Sequence, residues 1–425
     1  MAEQMKPSGV SWIGDIPFDW NIGKVRFETK IRAEKGCYTK NDTFIALENV
    51  SSFTGKYIAS ETEYDSGVYD IYKKGDLLYN KLRPYLAKAL IAKDTGFCTG
   101  ELEVISKYNG DMRFLFYYML SDGFLKIVDS STYGTKMPRA NWDYIKNLAI
   151  PLLSNQEQKA IADYLDGRCA EIDSIIADIE KQIELLKQYK KSLITETVTK
   201  GLDKSVPMKD SKSIWFGIIP EHWTIQRFKY LCSYITDGSH FSPETVDEGL
   251  PYITAADVQG VGINYDSAKK ISTKDYLALE HSGCRPQEGD SLLVKDGATT
   301  GRVGMVNSEQ PCVVLSSVAI LRSKEEDDNR FLMYLLESNA IQSQIRVSMA
   351  GSAMPRTTLS KIVNYEGVLC PSIEQNGICN YLDKQCEKID AIISDKQQQL
   401  DTIQKHKKSL IYEYVTGKKR VKEAM

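Results

Sequence analysis

The chain contains almost the same sequence twice, and this repeat limits its fold more than any other feature. The segment "GTKMPR" at 134–139 returns as "GSAMPR" at 351–356, 217 positions later. At the same spacing, "RFLFYYMLS" (113–121) returns as "RFLMYLLES" (330–338). Chance does not place such matches in the same order along a chain. We therefore interpret the sequence as a tandem duplication of one structural unit.

The openings of the two copies also match, but at a shorter spacing. "WIGDIPFDW" at 12–20 resembles "WFGIIPEHW" at 215–223, 203 positions apart, so the second copy has gained 14 residues before its "RFL" segment. The stretches 57–112 and 260–329 are the least alike. We expect two related domains with different surfaces.

Composition limits the class of protein. The 425 residues carry a net charge of −3, 42% hydrophobic content and a pI near 6.0. No apolar run reaches the roughly 18–20 residues that span a membrane, and the start lacks a signal-peptide pattern. These values predict a cytoplasmic chain of two or more domains. The weak net charge does not exclude a local basic face.

Motifs for catalysis or metal binding were not found. The nine cysteines contain no C-x-x-C pair, and the four histidines have no ligand spacing. Both G-x-x-x-x-G-K-[ST] and a G-x-G-x-x-G after a strand are absent. The sequence therefore predicts reduced thiols, no metal site and no cofactor bound by this chain.

Each copy is expected to contain two parts, an α+β globule and a long helix. Short β-like runs such as "ELEVIS" (101–106) and "GDSLLV" (289–294) accompany a single amphipathic helix, from 113 or 330 onward. We predict the following boundaries: globules at 1–153 and 202–371, a central helix at 154–201, and a C-terminal helix with a basic tail at 372–425.

The long helices carry a heptad pattern. Ser154 with Glu157, and Ser372 with Gln375, form predicted capping boxes at their starts. The pattern is interrupted at Lys190 in the first helix, and at Lys396 and Lys407 in the second. The predicted apolar seam consists of Ile172, Ile176, Ile179, Ile183, Leu186, Leu193, Ile389, Ile393, Leu400, Ile403 and Leu410. We expect the two helices to pair as an antiparallel coiled coil about 60 Å long, with a pseudo-twofold between the copies.

These features together resemble the specificity (DNA-recognition) subunit of type I restriction–modification systems. The resemblance rests on the tryptophan-rich openings, the two "MPR" segments, the "EQ…YLD…ID" helix starts and "KKSLI…VT(K)G". It covers essentially the whole chain. It implies two target recognition domains that read a bipartite, asymmetric DNA sequence. It also implies two methyltransferase subunits carrying S-adenosylmethionine, and restriction subunits using ATP and Mg²⁺. The chain itself would be non-catalytic.

Basic and short polar side chains in glycine- or proline-containing loops are the candidates for DNA contact. Arginine and lysine suit phosphate and guanine edges, and threonine or serine suits phosphate. The candidates are Lys81, Arg83, Lys136, Arg139, Lys295, Thr299, Thr300, Arg302, Ser352 and Arg356. The alternative is structural: each "MPR" would be a packing turn, and each basic loop an exposed hairpin turn. The tryptophans of the openings are expected to be structural.

Two other functions are possible alternatives for this sequence. A self-contained DNA methyltransferase or nuclease would need its own catalytic motifs, and the N/D-P-P-Y/F motif of adenine methyltransferases is absent. A coiled-coil scaffold without DNA would explain the helices but not two divergent globules with basic loops. Both leave more of the sequence unexplained than a recognition subunit does.

Overall fold

The computed structural model describes residues 4–134, 137–260, 262–324, 329–349 and 355–421. The chain divides into two compact units. The first unit comprises Met1–Lys181 and Lys396–Met425, and the second comprises Gln182–Asp395. Each unit thus contains one globule and one part of each long helix. Within the described residues, no helix is long and apolar enough to cross a membrane.

The first unit mixes short strands with helices. Its strands are β1 (Met5–Pro7), β2 (Asp15–Pro17), β3 (Asn21–Lys24), β4 (Thr29–Ile31), β5 (Lys35–Tyr38), β6 (Phe44–Ile45), β7 (Gly67–Tyr72), β8 (Leu77–Asn80), β9 (Ala89–Ile91), β10 (Gly96–Cys98), β11 (Leu102–Tyr108) and β12 (Ala149–Leu152). Its helices are α1 (Val25–Glu28), α2 (Met112–Met119), α3 (Asp122–Ser130), α4 (Trp142–Ile145) and the first part of α5 (Asn155–Lys200).

The second unit has the corresponding set. Its strands are β13 (Met208–Asp210), β14 (Ile218–Pro220), β15 (Thr224–Arg227), β16 (Cys232–Asp237), β17 (Thr245–Val246), β18 (Leu250–Ile253), β19 (Val258–Gln259), β20 (Gly262–Ile263), β21 (Lys269–Ile271), β22 (Ser291–Val294), β23 (Val303–Met305), β24 (Val313–Val314), β25 (Val318–Ser323) and β26 (Glu366–Leu369). Its helices are α6 (Phe228–Leu231), α7 (Thr273–His281), α8 (Asn329–Glu337), α9 (Asn339–Ser348), α10 (Leu359–Ile362) and the first part of α11 (Ser372–Val415).

One four-stranded antiparallel sheet is the same in both units, and a second sheet differs. The shared sheet has the order β4-β11-β8-β9 in the first unit and β16-β25-β22-β23 in the second. The other sheet is β5-β7-β10-β6 in the first unit and β17-β21-β18-β24 in the second. One pair of strands in this sheet is parallel, β10 with β6 in the first unit and β18 with β24 in the second. The two copies thus share the pattern of strand directions in this sheet but differ in which strand lies at its edge.

The single amphipathic helix predicted in each copy is two helices, so that prediction was wrong. In the first unit the break falls at Ser121, whose hydroxyl donates to the Tyr118 carbonyl at 2.7 Å. In the second unit Ser338 donates to the Leu335 carbonyl at 2.6 Å, and its oxygen accepts from the Ile341 amide. In both copies the buried serine precedes the second helix and its hydroxyl is paired with a carbonyl of the first, so the chain turns without leaving that hydroxyl unpaired.

The two long helices run antiparallel within each unit. In the first unit the ring centroids of Tyr164 and Tyr414 are 4.6 Å apart, and nine residues further along α5 Asp173 pairs with Lys407, so residue numbers rise along one helix as they fall along the other. In the second unit Ile194 and Val198 of α5 share a core with Leu382 and Ile378 of α11, and Lys190 pairs with Asp390. Of the predicted seam residues, Ile172, Ile179, Ile183, Ile389, Leu400 and Leu410 are buried, and the rest are half-buried.

Two ion pairs explain the interruptions of the heptad pattern at Lys190 and Lys407. The Lys407 ammonium lies 2.5 Å from Asp173 in the first unit, and the Lys190 ammonium lies 2.7 Å from Asp390 in the second. Both lysines and both aspartates are 217 positions apart. The same pair is therefore built twice, and each lysine stands in the seam because a carboxylate faces it there.

The helix starts are tied to the tryptophan openings. The indole N–H of Trp20 donates to Glu157 at 3.0 Å, and that of Trp223 donates to Glu374 at 3.0 Å. Both rings are buried, so these two tryptophans are structural, as expected. Ser154 accepts from the Glu157 amide at 3.2 Å, one half of the predicted capping box. The second long helix, α11, begins at Ser372, so this serine is the first residue of the helix and not the predicted capping residue before it.

Candidate nucleic-acid interface

In the first unit the structure brings together two segments that are far apart in sequence. The Arg83 amide donates to the Pro138 carbonyl at 2.7 Å, and the Ala140 amide donates to the Lys81 carbonyl at 2.9 Å. We call residues 81–88 and 133–140 the first loop pair; residues 135–136 lie outside the described part of the chain. The predicted basic loop and the "MPR" segment thus form one surface.

The second unit repeats this junction with the same backbone hydrogen bonds. The Gly297 amide donates to the Pro355 carbonyl at 2.9 Å, and the Thr357 amide donates to the Lys295 carbonyl at 2.8 Å. Residues 295–302 and 355–357 are the second loop pair. Each donor and acceptor occupies the position of its counterpart in the first copy. The duplication has therefore kept the backbone geometry of this surface.

The loops need left-handed backbone at two equivalent positions. In the second loop pair these are Gly297 (φ 97°) and Gly301 (φ 94°). In the first they are Arg83 (φ 52°) and Ala87 (φ 48°). A left-handed conformation costs a residue with a Cβ about 1–2 kcal/mol. Strained backbone of this kind concentrates at functional sites, so the first loop pair is a candidate site on backbone grounds alone.

The two lysines at the base of the loops are engaged within the protein. The Lys81 ammonium lies 2.7 Å from Glu103, and both side chains are largely buried. The Lys295 side chain is only 3% exposed, and its ammonium lies 3.2 Å from Asp237 and 3.1 Å from Asp296. These ion pairs hold the start of each loop. DNA contact by either lysine stays a prediction.

The arginines are more accessible. Arg356 pairs with Asp296 at 2.8 Å while its side chain stays 58% exposed. Arg302 is exposed, and its guanidinium donates to the Val258 carbonyl at 3.2 Å. Arg83 and Arg139 are half-buried. All four can present N–H donors at the surface.

The remaining candidates are placed less favourably or fall outside the described residues. The Thr300 hydroxyl donates to the Gly297 carbonyl at 2.7 Å and to the Pro355 carbonyl at 3.1 Å, so it closes the loop. Thr299 is half-buried beside it. Lys136 and Ser352 lie outside the described part of the chain.

Three exposed aromatic residues near these loops were not among the candidates. Tyr85 and Tyr133 are 52% and 62% exposed in the first loop pair, and Tyr133 exchanges backbone hydrogen bonds with Arg139. Phe241 is 64% exposed, four residues after Asp237, the partner of Lys295. Exposed rings of this kind can stack or fill a groove. The two tyrosines could have been selected from the sequence, because they lie close to Arg83 and Arg139 along the chain. Phe241 could not, because it is far from the second loop pair in sequence and is brought near it only by folding.

Residues 90–185 and 220–402 match the family described as "Type I restriction modification DNA specificity domain". These ranges cover more than half of the chain. The chain belongs to this family.

Curated relatives agree with this membership, and a solved structure has a similar fold. The MjaVIII specificity subunit of Methanocaldococcus jannaschii is 28% identical over 76% of this chain and 73% of its own length. The MjaIX specificity subunit of the same organism is 22% identical over 97% of this chain and 96% of its own. A chain solved in work on complex assembly and conformational transition of a type I R-M system has a TM-score of 0.67 at 16% identity. It is matched over 94% of this chain and 98% of its own length, and it supports the same fold. Nothing in these comparisons favours a self-contained methyltransferase or nuclease.

Proposed function

We propose that this specificity subunit reads a bipartite, asymmetric DNA target, with one loop pair for each half. The observation that carries the proposal is the repeated junction: the same backbone hydrogen bonds join the basic loop to the "MPR" segment in both units. Around this constant backbone the side chains and the second sheet differ. The same backbone geometry with different side chains is what we expect of two domains that both bind DNA but recognise different sequences.

Within each loop pair we assign different roles to the basic residues. Arg83 and Arg139 in the first pair, and Arg302 and Arg356 in the second, contact DNA. Arginine can donate two parallel hydrogen bonds to guanine or to phosphate. Lys81 and Lys295 hold the loops through their ion pairs, and the threonines close the second loop. This narrows the sequence-based candidates to the side chains that the fold leaves accessible.

We propose that the chain is non-catalytic and acts in the cytoplasm as the scaffold of a larger complex. The partners would be two methyltransferase subunits, which carry S-adenosylmethionine, and restriction subunits, which use ATP and Mg²⁺. The family membership supports these partners. Incubating the purified chain alone with S-adenosylmethionine and mixed DNA tests the first point, because methyl transfer without a partner would contradict it.

The assignment of halves is tested with the assembled complex. Arg139→Ala and Arg356→Ala are each assayed for binding to duplexes in which one half-site is varied at a time. Each variant should lose on the order of 1–3 kcal/mol, or blur one position, in a single half. Arg168→Ala, a similarly exposed arginine on α5, is the matched control and should change neither half.

Two outcomes would contradict the proposal. An equal change in both halves by either variant would exclude one loop pair per half-site. Binding that is unchanged in both variants would leave "MPR" as a packing turn. Mapping the methylated positions in the genome gives an independent check, since a continuous palindrome as the modified motif would exclude a bipartite asymmetric target.

A further inference from the structure

The second unit contains a cleft that neither the motifs nor the family assignment explains. It has a volume of about 310 Å³ and lies between α5 and the second loop pair. Its charged lining residues are Lys187, Lys190, Lys191, Arg302 and Glu337. Four cations thus line one cleft together with one carboxyl group.

Most of this positive charge is not balanced within the unit. Lys190 is paired with Asp390, but among the described residues Lys187, Lys191 and Arg302 have no carboxylate within ion-pair distance. Lys187 and Lys191 are four residues apart, so they lie on the same face of α5, where like charges destabilise a helix. An arrangement that concentrates repelling cations beside an open cleft favours an anion as occupant.

The carboxyl group in the cleft cancels little of this charge below pH 7. Burial raises the pKa of Glu337 to about 7, while Lys190 and Lys191 oppose the rise and Asp390 adds to it. Burial and the nearby guanidinium of Arg346 lower the pKa of Lys191. Glu337 is therefore largely protonated below pH 7, and an anion in the cleft would favour its protonated form further.

The first unit provides a natural comparison. Its equivalent cleft, about 430 Å³, is also lined by the "KKSLI" motif, but Gln404 stands at the position of Lys187. The counterpart of Lys191 is Lys408, whose ammonium lies 4.5 Å from the centre of the Phe53 ring. In all, three cations (Lys56, Lys407 and Lys408) and two carboxylates (Asp173 and Glu180) line this cleft. The second cleft, with four cations and one carboxyl group, therefore has the larger excess of positive charge.

We propose that the cleft of the second unit binds a phosphate group of the DNA backbone, with Lys187, Lys191 and Arg302 as its ligands. Arg302 belongs to both the cleft and the second loop pair, so a strand that contacts the loop passes the cleft. Contacts to phosphate position a protein on DNA without reading its sequence. The inference rests on the proposed function and adds helix residues to its DNA-binding surface.

The test is the salt dependence of DNA binding by the assembled complex. Each phosphate contact contributes about 0.9 to the slope of the logarithm of the binding constant against the logarithm of salt concentration. The double variant Lys187→Gln, Lys191→Gln should reduce the slope by about 1 and weaken binding to all sequences, with half-site preference unchanged. Lys187→Arg with Lys191→Arg should keep the parent slope, which separates lost charge from a folding defect.

The first copy supplies the matched control. Lys408→Gln, at the position equivalent to Lys191, should leave the slope as it is, because this lysine already lies over Phe53. Gln404→Lys introduces into the first cleft the cation that Lys187 provides in the second, and it should not reduce the slope. A slope reduced equally by Lys408→Gln would contradict a site specific to the second unit.

Other results would overturn the inference in distinguishable ways. An unchanged slope in the double variant, with sequence preference retained, would refute the cleft and leave the proposed function intact. If the double variant binds DNA normally but loses inorganic phosphate or ATP in calorimetric titration, the occupant is a free phosphate compound. If it loses a methyltransferase subunit in gel filtration, the occupant is an acidic segment of that partner. A parent complex without any sequence preference would instead refute the proposed function.

Discussion

The two Lys–Asp pairs between the long helices allow one substitution to be made twice in different surroundings. In the first unit the side chains of Lys407 and Asp173 are 7% and 10% exposed, and the lysine also donates to the Phe53 carbonyl at 3.1 Å. In the second unit the side chains of Lys190 and Asp390 are 21% and 42% exposed. The two ion pairs have the same residue types and the same position in the repeat, but they differ in how deeply they are buried.

Replacing the lysine by methionine keeps most of the side-chain length and removes the charge. In Lys407→Met the Asp173 carboxylate stays buried without its partner, which should cost about 3–5 kcal/mol. In Lys190→Met the Asp390 carboxylate remains partly hydrated, so we expect a loss of about 1 kcal/mol or less. The difference between the two variants, about 2–4 kcal/mol, is the quantity that the structure predicts.

Urea unfolding followed by circular dichroism gives the overall effect, but a chain with two compact units need not unfold in one step. Hydrogen exchange of the slowest amides in α5 and α11 therefore assigns the loss to a unit. The measurement is made below pH 7, where Glu337, the neighbour of Lys190, is largely protonated. Lys407→Met should lower protection in the first unit and leave the second as it was.

A double-mutant cycle separates the pair from the cost of an unpaired charge. Adding Asp173→Leu to Lys407→Met removes both charges and should restore most of the stability, because an apolar pair in a buried seam is often as stable as an ion pair. Equal, small losses for Lys407→Met and Lys190→Met would refute the reasoning. So would a double variant no more stable than Lys407→Met alone.

Two further predictions concern the second unit. The folded state holds the Glu337 proton up to about pH 7, whereas the unfolded state loses it near pH 4.5, so the free energy of unfolding should fall as pH rises between these values. Glu337→Leu introduces the residue found at the equivalent position of the first copy, Leu120. This variant should remove the fall and raise the free energy of unfolding at pH 8 by at most about 3 kcal/mol, measured by urea unfolding at several pH values. Gly297→Ala should cost about 1 kcal/mol through backbone strain alone. Gly301→Ala should cost more, because its new Cβ would lie 2.7 Å from the Gln342 side-chain oxygen, and the amide of Gln342 is held by hydrogen bonds to the Gly301 and Leu336 carbonyls. Thermal unfolding of both variants at one pH compares them, and equal shifts would contradict the contact with Gln342.

The elements carried by repeated anchors could be predicted from sequence. The heptad pattern indicated both long helices, and the predicted start at Ser154 lies one residue before α5. The gaps at Lys190 and Lys407 were visible, but their cause was not, because the facing aspartates are about 200 residues away in the chain. A long-range pair has no local signature. Only the antiparallel register of the helices brings its members together.

The candidate site was harder to predict, for a similar reason. Sequence reasoning found both loops and both "MPR" segments but treated them as separate motifs, whereas backbone hydrogen bonds join them. It also selected Lys295 by residue type, and folding buries this side chain between Asp237 and Asp296. Residue type identifies the possible ligands of a phosphate or a base. Burial and ion pairing decide which of them remain available.

The first loop pair holds a residue whose backbone conformation lowers the stability of the fold. Arg83 and Gly297 occupy equivalent left-handed positions, and at such a position arginine is less stable than glycine. After allowing for the greater freedom of glycine in the unfolded chain, Arg83→Gly should stabilise the first unit by up to about 1 kcal/mol. If the side chain is kept for DNA contact, the same variant should weaken binding to one half-site only. Thermal unfolding and half-site binding of the assembled complex measure the two effects. A variant that is more stable and binds DNA like the parent would show that the strain at Arg83 has no part in recognition.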